Sequence, residues 1–268
     1  MAKCLIAGLP AAGKSTYIGA LAYSLQNPAN NQLLKLSETP DDLSYLNKLT
    51  DSWLTLQKME RTTRGFANNI DFELERVTDG KTFSVSLPDI AGEDYESIVY
   101  QNAEVIKKWS EELDSLLLFI NYRQDCYLKE QLGDTEPLDK TKEPPLFSIN
   151  DMSAIVQNVL MLKELHILFP WKKLAIGLSS WDKYFNTYSS PVEMLKQRVP
   201  FLYNFVMHYF PDAYIFGISA QGDEYVEDEN AKSKLFEKTE NGTRAFIVDK
   251  DGVKSYDLTL PLNFLISD

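Results

Sequence analysis

The chain has 268 residues, 44% of them hydrophobic, enough to build one α/β domain with a sizeable core. With 39 acidic against 27 basic residues the formal net charge is −12, which argues against sequence-independent binding of nucleic acid or of an anionic membrane. Two cysteines, Cys4 and Cys126, make no disulfide scaffold, and no apolar run approaches the roughly 20 residues of a membrane span, so a cytoplasmic protein with no membrane span and no signal peptide is expected.

Apolar runs and helical spacings alternate along the chain. Strands are expected at 3–8, 70–77, 82–88, 115–121, 173–179 and 213–218, and helices at 14–25, 41–59, 95–113, 149–166 and 191–209. An Asp79-Gly80 pair between the second and third strands marks a hairpin. The other links are long enough for crossover helices. The expected fold is a three-layer α/β domain. Its mostly parallel six-stranded sheet has one antiparallel edge strand and helices on both faces.

The whole chain, 1–268, reads as a single domain with insertions near 27–59 and 123–147 and a C-terminal extension near 221–268. The stretch 123–147 carries Pro137, Pro144 and Pro145 and reads as a surface loop. The stretch 221–241 is charged and reads as a mobile loop. A hairpin pattern flanks Asp249-Lys250-Asp251-Gly252, and the last apolar stretch, from Leu260 to Leu265, is expected to dock on the body.

The chemistry begins at Gly8-Leu9-Pro10-Ala11-Ala12-Gly13-Lys14-Ser15, between the first expected strand and the first expected helix. Two glycines bracket four residues and are followed by lysine and a hydroxyl residue, the spacing of a phosphate-cradling loop. Small residues let successive backbone N–H groups point into one concavity, and the helix start adds its positive dipole end. Gly8, Ala11, Ala12, Gly13, Lys14, Ser15 and Thr16 are therefore candidates to bind a nucleoside triphosphate. Lys14 reaches for the β/γ-phosphates, and Ser15 is a ligand for Mg²⁺. Pro88-Asp89-Ile90-Ala91-Gly92 ends the third expected strand. Asp89 there can hold the Mg²⁺ shell through water, and Gly92 can give its N–H to the γ-phosphate.

From these two boxes onward the chain resembles the P-loop GTPases of the translation-factor and Ras-like (TRAFAC) class. The resemblance implies two guanine-recognition boxes, and partial matches stand in the right order. Ser179-Ser180-Trp181-Asp182-Lys183 follows the fifth strand, and Ser219-Ala220-Gln221 follows the sixth. Asp182 matches the aspartate that accepts hydrogen bonds from guanine N1 and the exocyclic amine. Ser180 replaces the usual lysine over the base, a place that Trp181 or Lys183 could fill instead. The Ala220 N–H matches the contact to the guanine carbonyl, and Gln221 stands for lysine.

The resemblance also implies a first-switch threonine for Mg²⁺ and the γ-phosphate. Thr62 and Thr63 are both candidates, with Thr63 preferred. Arg61 and Arg64 flank them and are candidates for a finger supplied in cis, balanced by the ordinary reading of exposed arginines. Glu93 stands where the family orients the attacking water. A carboxylate accepts from water but donates nothing unless protonated, so Glu93 is either a general base or the mark of a slow enzyme assisted by a partner. His166 and His208 read as structural.

The Ser-Ser-Trp-Asp form, the long first-switch insertion and the chain's ending are similar to the bacterial double-GTPase families of predicted conflict and phage-defence systems. This implies a guanine-nucleotide switch that takes GTP and GDP as ligands, hydrolyses GTP with Mg²⁺ and signals to a protein partner. Two alternatives stand beside it. One is a non-hydrolysing, nucleotide-stabilised interaction module. The other is a P-loop ATPase or small-molecule kinase, the latter needing an arginine-bearing lid for which Arg244 is the late candidate.

Overall fold

The computed structural model describes residues 2–29, 31–38, 43–57, 59, 62–63, 67–99, 113–121, 154–223 and 229–267. The first half runs β1 (Ala2–Ala7), α1 (Lys14–Gln26), β2 (Leu34–Glu38), α2 (Ser44–Leu54), β3 (Ala67–Arg76), β4 (Thr82–Ile90), α3 (Gly92–Val99) and β5 (Ser115–Ile120). The second half runs α4 (Ala154–Leu168), β6 (Lys173–Ser179), a 3-10 turn (Trp181–Lys183), α5 (Pro191–Arg198), α6 (Pro200–Tyr209), β7 (Tyr214–Ser219), α7 (Glu229–Glu240), β8 (Phe246–Val248), β9 (Lys254–Ser255) and α8 (Leu260–Ile266).

Among the described residues one sheet carries all the strands, in the order β2-β3-β4-β1-β5-β6-β7-β8-β9. Its five central strands, β4 to β7 in that order, are parallel. The reason is visible in β5, Ser-Leu-Leu-Leu-Phe-Ile, which is buried from end to end. Leu117 and Phe119 enter one core while Leu116, Leu118 and Ile120 enter the other. A strand apolar on both faces is stable only between two helical layers. Helices α1, α2 and α8 supply the first layer through Ile18, Leu21, Leu49, Trp53 and Leu262. Helices α3 to α6 supply the second through Ile98, Leu162, Leu195 and Leu202. This is the three-layer α/β architecture, with helices on both faces as expected.

The sheet is larger than the six strands expected. The three additional strands are β2, β8 and β9, all at its edges and all antiparallel to their neighbours. β2 lies within the stretch 27–59, where short polar strands leave little periodicity to read. The Asp-Gly hairpin joins β3 to β4, with Gly80 at φ 68° and the Lys81 N–H donating to Asp79. The second expected hairpin, around residues 249–252, adds itself to the sheet beside β7. The stretch 221–241, read as a loop, contains α7, which buries Leu235 and Thr239.

The single helix expected at 191–209 is two. Val199 sits at φ −134°, ψ 51°, outside the helical region, and Pro200 opens α6. Proline has no N–H to continue a helix and crowds the residue before it out of the α conformation. His166 packs against Trp171 and Phe210, and His208 against Tyr209. Residues 123–147, with Cys126, lie outside the described residues. Among the described residues no helix is long and apolar enough to cross a membrane.

Candidate functional site

Parallel strands bring their carboxyl ends to one edge, and there the motif residues converge. β1 runs into the glycine-rich loop, β4 carries Asp89 as its last residue but one, β6 ends on Ser179 and β7 on Ser219. Ile6 pairs with Asp89 across the β1–β4 ladder, so the carboxylate is delivered beside the loop by strand register alone.

The loop takes conformations that its small residues permit. Ala11 sits at φ 58° and Gly13 at φ 95°, and the Ala12 N–H donates back to the Leu9 carbonyl at 3.1 Å. A Cβ on Gly92 would lie 2.3 Å from the Pro10 nitrogen, so only glycine lets the start of α3 rest on this loop. Lys14 is 7% exposed. Its Nζ donates to the Gly8 carbonyl at 2.7 Å and lies over the Tyr95 ring. Burial pulls its pKa down to about 8, against the opposing pull of Asp89 and Glu93. Tyr95, fully buried, donates to the Ile6 carbonyl at 2.6 Å and fixes the strand beneath.

Asp89 is fully buried. One oxygen, Oδ2, accepts from Ser15 at 3.1 Å, Tyr45 at 2.6 Å and Thr62 at 3.3 Å. The other, Oδ1, has no hydrogen-bond partner among the described residues. A buried carboxylate with one oxygen left in this state and the other met by two aliphatic hydroxyls is a hard-oxygen donor set that fits Mg²⁺. It is Thr62, not the preferred Thr63, whose hydroxyl reaches Asp89; Thr63 is exposed. Arg61 and Arg64 lie outside the described residues. Glu93 sits in the first turn of α3, half-buried.

A cavity of about 390 Å³ runs from the phosphate loop to the ends of β6 and β7. Ala11, Gly13 and Thr16 line one end, and Ser180, Asp182, Lys183, Ala220 and Gln221 line the other. That volume lies in the range of small-ligand sites. Asp182 Oδ1 accepts from Ser219 Oγ at 2.7 Å, which holds the carboxylate at the cavity wall. Ser180 stands in the left-handed region at φ 57° and starts the 3-10 turn. Ser179 Oγ donates to the Ala12 carbonyl and ties the two ends together.

The structure separates Trp181 from Lys183. Trp181 is fully buried, stacked on the backbone of Gly217, where a Cβ would lie 2.3 Å from the indole. It therefore covers no ligand, whereas Lys183 lines the cavity. Arg244 forms no lid: it is 1% exposed, with its guanidinium 3.9 Å over Trp53. Sequence reasoning missed Tyr45, Trp53 and Asn121, which lines the cavity and whose Nδ2 donates to the Ala11 carbonyl at 3.2 Å. Only the position of Asn121 at a strand end could have flagged it.

The Double-GTPase 1 family model matches residues 5–265. Comparison with curated proteins finds no match. Among solved structures, Methanosarcina barkeri Roco2 (RocCORdC bound to GDP) is similar at 13% identity and TM-score 0.37, over 95% of this chain and 51% of that one. The S. cerevisiae Ski7 GTPase-like domain, bound to GDP and inorganic phosphate, is similar at 19% identity and TM-score 0.43, over 90% of this chain and 50% of that one. Sup35 complexed with GDP is similar at 15% identity and TM-score 0.39, over 85% of this chain and 39% of that one. The chain thus spans half or less of the length of the last two and about half of the first. With nearly its whole length matched by the family model, the chain belongs to the Double-GTPase 1 family.

Proposed function

We propose that this member of the Double-GTPase 1 family is a guanine-nucleotide switch that binds GTP and GDP and hydrolyses GTP with Mg²⁺. The observation that carries the reading is the single cavity joining the phosphate loop to Asp182, with Ser219 holding that carboxylate in place. Two carboxylate oxygens side by side match the paired donors on one edge of guanine, and adenine lacks that pair.

Each end of the cavity then has its work. The loop amides and the Gly92 N–H would hold the phosphates, and Lys14 would give up its contact with the Gly8 carbonyl to meet them. A triphosphate beside Lys14 favours the charged ammonium that burial disfavours. Ser15, Thr62 and, through water, Asp89 would hold Mg²⁺, which when bound neutralises charge on the β- and γ-phosphates. Glu93 would accept a hydrogen from the attacking water, and Arg61 would offset charge on the leaving phosphates. Asp182, Ala220 and Gln221 would read the base while Lys183 covers its face.

GTP would order the segments around Thr62 and Glu93 and its hydrolysis would release them. The proposal extends to a protein partner that reads the ordered form, in the bacterial defence setting implied by the resemblance of the sequence. Titration of the purified chain with GTP, GDP, ATP and ADP, with and without Mg²⁺, tests the reading when phosphate release is followed in the same samples. Guanine-selective binding with slow, Mg²⁺-dependent release is expected. Tight binding without release, even with a partner, would make the chain an interaction module. A preference for adenine would overturn the role of Asp182.

A further inference from the structure

Helix α2 lies where the sequence marks an insertion and a helix over 41–59, and it touches both ends of the cavity. It buries Leu46, Leu49, Thr50 and Trp53. It lies so close on α1 that a Cβ on Gly19 would meet the Leu49 carbonyl at 2.8 Å. At its start, Tyr45 donates its hydroxyl to Asp89 Oδ2 at 2.6 Å. At its end, Trp53 Nε1 donates to the Ala220 carbonyl at 2.8 Å. Eight helical steps separate the two contacts, about 12 Å along the axis.

Trp53 is itself clamped. The Arg244 guanidinium stacks 3.9 Å over its ring, donates through Nη2 to the Trp53 carbonyl at 2.8 Å and through Nε to the Gln221 carbonyl at 3.0 Å. A guanidinium 1% exposed is held in the fold by such acceptors and by the ring face beneath it. The carbonyls of Ala220 and Gln221 are thereby pinned as successive peptide planes, directly after the amide assigned to the base.

We propose that α2 is a positioning strut that couples the metal end of the nucleotide site to its base end, with Tyr45 setting Asp89 and Trp53, backed by Arg244, setting the 219–221 loop. The inference rests on the guanine-switch reading above. Because coupling between two bound species is reciprocal, Mg²⁺ binding tightens guanine binding through the strut and guanine binding tightens Mg²⁺.

The test measures binding of GDP and of inorganic tripolyphosphate, with Mg²⁺ titrated, on the full chain and on Tyr45→Phe, Trp53→Phe and the double variant. Thermal midpoints are read in parallel. Trp53→Phe loses one hydrogen bond to the base loop and is expected to weaken GDP roughly three- to tenfold while leaving tripolyphosphate unchanged. Tyr45→Phe is expected to shift the Mg²⁺ concentration needed for half-maximal GDP binding and to leave metal-free binding unchanged. The double variant is expected to lose GDP affinity non-additively. If Trp53→Phe does not fold, Arg244→Lys, which keeps the charge but not the fork, replaces it with the same expected GDP-selective loss.

Equal weakening of GDP and tripolyphosphate, or strictly additive losses, overturns the strut. GDP binding by the unaltered chain with no change in any variant overturns the strut alone. Failure of the unaltered chain to bind guanine nucleotide overturns the guanine reading and the strut with it.

Discussion

The two ends of the cavity are built by different means. At the phosphate end, the shape is made by backbone: Ala11 and Gly13 at positive φ, Gly92 seated on Pro10, and a carbonyl holding Lys14. At the base end, it is made by side chains that hold one another: Ser219 on Asp182, Trp181 under Gly217, and Trp53 on the Ala220 carbonyl. Phosphate oxygens are met by N–H groups that every residue but proline possesses, so the phosphate end needs only small residues at fixed spacing. A base edge is met by particular side-chain atoms, whose supports can be exchanged for others that reach the same place.

The largest expected effect breaks the phosphate end. Lys14→Met should weaken GDP and tripolyphosphate alike by roughly 10- to 100-fold, as expected for lost charge-assisted hydrogen bonds, in a direct binding titration. The same change should make the nucleotide-free chain more stable, because a buried ammonium is removed. Burial lowers this pKa from 10.5 to about 8, so the folded chain gives up the proton more readily than the unfolded one. The cost is full below about pH 8 and fades as pH rises to 10.5. The stability gap between variant and unaltered chain, up to about 3 kcal/mol, should therefore close over that window in denaturant melts.

Asp182→Asn should break the base end alone. GDP affinity is expected to fall by roughly 10- to 100-fold and the matching xanthine nucleotide to gain, while tripolyphosphate binding stays the same. Unchanged base selectivity would remove Asp182 from recognition. Gly92→Ala tests whether the phosphate end is set by backbone contact. Its Cβ would fall 2.3 Å from the nitrogen and 2.5 Å from the Cα of Pro10, neither of which can swing away like a side chain. A loss of about 1–3 kcal/mol in unfolding free energy is expected.

The smallest effect should come from Ser219→Ala, which removes the 2.7 Å hydrogen bond that aims Asp182. GDP should weaken roughly three- to tenfold with tripolyphosphate unaffected. An equal loss for both ligands would mean that the two ends are less separable than their construction indicates.

The same contrast explains what could be read in advance. The phosphate loop, Asp89 and the five central strands announce themselves because each rests on a local rule: glycine spacing, a strand-end carboxylate, or an apolar run buried on both faces. Ser219 on Asp182 was legible as two boxes but not as a hydrogen bond, since nothing in either tripeptide states their separation. Tyr45 and Trp53 were not legible at all. Each looks like an ordinary aromatic of an amphipathic helix until α2 is laid on α1. Val199-Pro200 shows the reverse failure, a strong local breaker outweighed in reading by an apolar periodicity that continues across it.

The sequence by itself determined the three-layer architecture, the phosphate cradle and the order of the boxes, because these follow from backbone conformation and hydrophobic period over neighbouring residues. Tertiary structure decided that the sheet extends to nine strands. It also decided that Thr62 rather than Thr63 meets Asp89, that Trp181 belongs to the core, and that Trp53 and Arg244 hold the carbonyls of Ala220 and Gln221. The physical reason is that each of these depends on the meeting of groups distant in the chain. Such meetings are fixed by packing distance and by the need of buried polar atoms for partners, and neither is written in local order.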